Sequence, residues 1–141
     1  MDLNHLLGAL RIGGWANIAI GVGHLLAMLR LREISAWVGG PSVQDPVFHP
    51  LFPYVLTFVT ALAFIGLGLV ALSACGDIRR LPFQSAGVVA IAWIFLLRAV
   101  GGTGMGGFME DTDVRNFCFS LVALAVSVLY GLGARALLVS R

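Results

Sequence analysis

Charged residues are sparse along this chain, and the runs between them are long and apolar. A helix crossing about 30 Å of hydrocarbon at 1.5 Å per residue needs roughly 20 mostly apolar residues. Four stretches meet that length. Between Arg11 and Arg30 lies IGGWANIAIGVGHLLAML, interrupted only by Asn17 and His24. After Pro50 and Pro53, the run from Tyr54 to Cys75 carries no charge. Between Arg80 and Arg98 the run LPFQSAGVVAIAWIFLL is shorter, and Arg98 can snorkel outward to complete it. The fourth, NFCFSLVALAVSVLYGLGA, lies between Arg115 and Arg135. The pattern predicts an all-α integral membrane protein, a four-transmembrane-helix bundle of antiparallel up-down order. Residues 1–141 read as a single domain, with spans near 12–30, 54–75, 81–100 and 116–135.

A buried soluble bundle would need a polar face on every helix. Tyr54 to Cys75 offers only two Thr, one Ser and one Cys for one, so it has no face to turn to water. The amino-terminal run does not read as a cleaved signal peptide, because Asp2 and His5 stand where a basic start is usual and no A-x-A site follows. Arginine counts near the span ends give the orientation. Arg11, Arg79, Arg80, Arg135 and Arg141 fall on one side, and Arg30, Arg32, Arg98 and Arg115 on the other. This places both termini on the cytoplasmic side of a multi-pass protein of the inner (plasma) membrane.

Composition agrees with the pattern. The 141 residues are 59% hydrophobic and 11% charged, against about 45–50% and about 25% in soluble domains. A disordered chain, an ordinary soluble enzyme and a disulfide-stapled secreted module are all excluded by these figures. The nine basic residues are all Arg, and a net charge of +2 makes no broad basic face, so nucleic acid is not an expected partner. The lipid bilayer is, together with a homo-oligomer or a larger membrane complex.

The connections differ in kind. GDIRR is a tight turn, so the second and third spans should pack antiparallel. The first loop carries EISAWVGG, readable as a short interfacial helix with Trp37 at headgroup depth. The third, GGTGMGGFMEDTD, is glycine-rich and then acidic. Its G-x-G-x-x-G look-alike misses register at the last position and follows no strand, so a flexible loop is the reading rather than a dinucleotide site. Cys75 and Cys118 fall at opposite membrane borders, too far apart for a disulfide, and no C-x-x-C is present.

Each span carries one small or polar stripe. In the first it is Gly13, Asn17, Gly21, His24 and Met28; in the second Thr57, Thr60, Ala61, Phe64, Gly68, Ala71 and Cys75. Gln84, Gly87, Ile91 and Arg98 mark the third, and Asn116, Ser120, Ala123, Ser127 and Tyr130 the fourth. Depth sorts them further. His24 stands about 20 Å along its helix from Arg11, in the outer half, where Thr57, Thr60, Arg98, Asn116 and Ser120 also fall. With Asn17 below and Asp113 just above, these residues outline a polar pocket open to the outer face. His24 could exchange protons or bind a carbonyl there, and Arg98 could pair with Asp113. The bland alternative is that the same side chains only bridge helices and anchor a span border. No metal is expected, because no two histidines share the i, i+4 spacing of a helix-borne pair and a two-histidine haem site lacks its second intramembrane His.

The stretch IAWIFLLRAVGG, then GGF, then DTDVRNF resembles a family of small uncharacterised four-span bacterial membrane proteins, a domain of unknown function that is DoxX-like in shape. The matching residues are Phe95, Leu96, Leu97, Arg98, Ala99 and Gly101, then Gly107 and Phe108, then Asp113, Arg115 and Phe117, with His24 ahead of an apolar run in the first span. The match covers about a third of the chain. Gly102 stands where the family has an acid, and Cys118-Phe119 where it has Ser-Pro. The resemblance implies a four-helix membrane bundle and little chemistry, apart from a link of DoxX-like relatives to quinone-dependent oxidation.

The expectation is therefore a non-enzymatic membrane protein that binds a hydrophobic small molecule or a partner subunit through the polar pocket, with no resident cofactor. One alternative is a quinone-reactive oxidoreductase subunit, with His24 and Arg98 on the ring carbonyls. Another is a small proton-coupled transporter, a reading that the absence of any Asp or Glu within a span weighs against.

Overall fold

The computed structural model describes residues 2–38, 49–103 and 114–139, with 35–38, 102, 103, 115 and 116 given by backbone alone. Helix α1 spans Leu3–Ala27 and passes through a 3-10 turn, Met28–Arg30, into α2, Leu31–Val38. Helices α3, Phe52–Cys75, α4, Gln84–Thr103, and α5, Val114–Val139, follow, and no strand occurs among the described residues. Among the described residues four helical stretches are long and apolar enough to cross a membrane: Leu3–Ile34, Phe52–Cys75, Gln84–Gly101 and Phe117–Val139. Their apolar windows are only 22% to 39% buried. Leu97 and Trp93 are 67% and 60% exposed, and Val59 and Leu62 are similarly bare. Lipid is the solvent that such surfaces fit, so the chain is an all-α, multi-pass membrane protein.

The ends of the helices have local causes. Pro53 sits in the first turn of α3, where its missing N–H has no intrahelical partner to lose. At the other end of α3, Gly76 takes φ +81°, a left-handed conformation that suits glycine. Its N–H donates to the Ser73 carbonyl and that of Asp77 to the Leu72 carbonyl, the paired bonds of a Schellman cap. Ser73, fully buried, ties down the turn that follows. Its Oγ accepts from the Leu81 N–H at 2.7 Å and lies within donating distance of Gln84 Oε1 and the Arg79 carbonyl, at 3.0 and 3.1 Å. Phe83, at φ 59°, closes the turn, which holds Leu81 to Phe83 out of the helix and starts α4 at Gln84.

The chain resolves into two compact units, residues 1–16 with 68–141, and residues 17–67. In the first unit four helical segments pack as a closed bundle. A Cβ at Gly13 would stand 3.0 Å from the Tyr130 ring, and one at Gly133 only 2.5 Å from Leu10 Cβ, so α1 and α5 touch backbone to side chain. Gly14 meets Ala71 in the same way, and Gly87 meets Val70, which joins α1 to α3 and α3 to α4. Helices α4 and α5 close the ring, with Phe95 stacked near Tyr130 at 6.5 Å and Ser127 Oγ donating to the Ala92 carbonyl at 2.9 Å. The pairings 10 with 133 and 13 with 130 run antiparallel, so both ends of the described chain lie at the same end as the α3–α4 turn.

The second unit comprises the remainder of α1, the 3-10 turn, α2 and the first two thirds of α3. Its helices meet where Gly21 faces α3. A Cβ there would lie 2.7 Å from the Ala61 carbonyl oxygen, closer than any side chain tolerates. The tract EISAWVGG is helical as far as Val38 and runs on from the 3-10 turn without a break; the side chain of Trp37 lies outside the described residues. So do residues 104–113, with Glu110, Asp111 and Asp113 among them, and Arg141.

Candidate functional site

Within residues 17–67, Asn17 is fully buried, and His24, Thr57 and Thr60 are half-buried. The spacing that puts small and polar residues on one face of α1 is what delivers them: Gly21 lets α3 approach, and His24 follows one turn later. His24 Nδ1 lies 2.8 Å from the Ile20 carbonyl. A carbonyl only accepts, so Nδ1 carries the proton, and in the neutral form of the ring Nε2 is an acceptor. The ring stacks on Phe64, with centroids 5.4 Å apart and planes 23° from parallel. Two independent contacts thus fix its orientation. Nε2 has no hydrogen-bond partner among the described residues. Thr57 Oγ1 donates to the Pro53 carbonyl one turn back at 2.8 Å, which uses its proton and leaves its lone pairs.

In the other unit, Arg98 is exposed, and its Nη1 donates to Ser120 Oγ at 3.4 Å. Ser120 is fully buried. The pairing expected between Arg98 and Asp113 falls outside the described residues, and the Asn116 side chain does too. Both cysteines are free, Cys75 half-buried with its Sγ donating to the Leu7 carbonyl at 3.4 Å, and Cys118 exposed. Among the described residues no cluster of three or more His, Cys, Asp or Glu could hold a metal ion.

Sequence reasoning missed one ion pair, between Arg11 and Asp77. Arg11 Nε and Nη2 each donate to one oxygen of Asp77 at 2.6 Å, a bidentate fork. These hydrogen bonds, helped by the guanidinium charge, hold the Asp77 carboxyl below the usual carboxylate range against a smaller opposing effect of burial. The only signals in the sequence were a lone acid in the GDIRR turn and a basic residue early in α1, 66 positions apart. Arg79 and Arg80 lie in the same turn as Asp77, and Arg135 lies one turn before the end of α5. Comparison with family models, with curated proteins and with solved structures finds no match to this chain.

Proposed function

We propose that this chain is an integral protein of the inner (plasma) membrane that binds a hydrophobic small molecule or the apolar segment of a partner subunit at His24. The observation that carries the reading is the anchored imidazole. Its Nδ1 is spent on Ile20, its face on Phe64, and its Nε2 is left as an acceptor. Such a group recognises a hydroxyl donor, so the fitting ligand is an apolar molecule with an alcohol or phenol head. Thr57 and Thr60, half-buried on α3, support a polar patch in the same unit, and the reading rests on these residues. The quinone reading would ask His24 to donate to a carbonyl, which this tautomer does only when protonated. The DoxX-like resemblance belongs to the same proposal, as does the placing of both termini in the cytoplasm, supported by the arginines of one end.

Organic extraction of the purified protein, followed by mass spectrometry, tests this. An apolar hydroxyl compound should accompany the wild type and fall about fivefold in His24→Ala, the effect of losing one hydrogen bond of about 1 kcal/mol. Equal content in both would refute the site.

A further inference from the structure

Helices α4 and α5 leave a groove of about 420 Å³ on their outer side. It is walled by Ala92, Trp93 and Leu96 from α4 and by Gly131 and Ala134 from α5, with Arg135 towards the α5 end. The polar atom in its floor is satisfied, because the Ser127 hydroxyl donates to the Ala92 carbonyl. From Ser127 to Val139 the groove runs along about 18 Å of helix, enough for the roughly 15 Å of one leaflet's hydrocarbon, with Arg135 one turn short of its end. Arg135 is exposed, and no acid pairs with it among the described residues, whereas Arg11 of the same bundle has Asp77. Arg79 and Arg80, in the turn at that end of the bundle, add positive charge.

We propose that this groove holds one acyl chain of an anionic phospholipid, with Arg135 on the lipid phosphate. The wall is apolar where the chain lies, and the cation stands at the membrane border where a headgroup lies. Charge favours this occupant over a second copy of the chain. A two-fold dimer on the groove, with its axis along the membrane normal, would set two Arg135 side chains at the same depth. The inference goes beyond the His24 reading and shares no residue with it.

The test is native mass spectrometry of the detergent-solubilised protein titrated with dioctanoyl phosphatidylglycerol, dioctanoyl phosphatidylcholine or glycerol 3-phosphate. A Cβ at Gly131 meets nothing within 4 Å, so Gly131→Leu fills the groove without disturbing the helices; unchanged circular dichroism verifies this. Phosphatidylglycerol should bind about fivefold tighter than phosphatidylcholine, the gain from one basic residue at an anionic headgroup. Arg135→Gln should remove that preference, Gly131→Leu should weaken both lipids, and glycerol 3-phosphate should not bind. Equal binding of the two lipids would overturn the headgroup assignment. Lipid binding untouched by Gly131→Leu would overturn the groove, and a dimer dissolved by that substitution would give the groove to a second copy.

Discussion

At the scale of single residues, polar groups in this chain matter by which atom they leave exposed. His24 was visible in the sequence as an imidazole one helical turn beyond Gly21. Which nitrogen it offers was not, because that depends on a backbone carbonyl 2.8 Å away. Asp77 shows the complementary case. Its carboxyl titrates lower in the folded protein than in the unfolded chain, because Arg11 holds the charged form. Its contribution to stability is therefore complete above the ordinary carboxylate pKa and is lost as the pH falls through the depressed folded value. Thermal unfolding in detergent from pH 7 to pH 3 should show a loss of stability on acidification that Asp77→Asn reduces. An identical pH profile for the variant would mean that the fork contributes nothing measurable. The pair escaped the sequence reading because its partners are distant along the chain, and only the antiparallel return of α3 beside α1 brings them together.

At the scale of elements, hydropathy located four apolar helices, and charged residues do not mark where every helix begins or stops. Residues 3–10 continue α1 although Arg11 reads as a border, and α5 runs past Arg135 to Val139. Polar side chains at a membrane border do not stop a helix; caps and turns do, as Gly76 and Phe83 show. Gly76→Ala should destabilise the protein by about 1 kcal/mol through its left-handed φ, measured as a lower unfolding midpoint. A sharper contrast lies on α5. Gly133→Leu drives a side chain into Leu10 and should cost about 1–3 kcal/mol by overpacking. Gly131→Leu, two residues earlier, meets open space and should leave the midpoint within about 0.5 kcal/mol. Equal effects of the two would contradict the close approach of α1 and α5. The small-residue stripes made helix contacts predictable in kind, but i, i+4 spacing cannot say which glycine faces a neighbour and which faces lipid.

At the scale of the whole molecule, scarce charge and exposed apolar surface specify lipid as the solvent, and the antiparallel α1–α5 contact puts both ends of the described chain together. Green fluorescent protein fused after Arg141 should fluoresce in cells, and a periplasm-active phosphatase inserted near residue 45 should be active. The reverse pair of results would invert the orientation. The central claim is that α1 presents His24 Nε2 as an acceptor for a hydroxyl-bearing hydrophobic ligand. Nitrogen-15 NMR of histidine-labelled protein in bilayers, with and without a decyl-substituted hydroquinone, tests it most directly. The account predicts a His24 ring protonated at Nδ1 whose Nε2 resonance shifts with the hydroquinone and not with the matching quinone. A ring protonated at Nε2, or an Nε2 resonance indifferent to both probes, would contradict it.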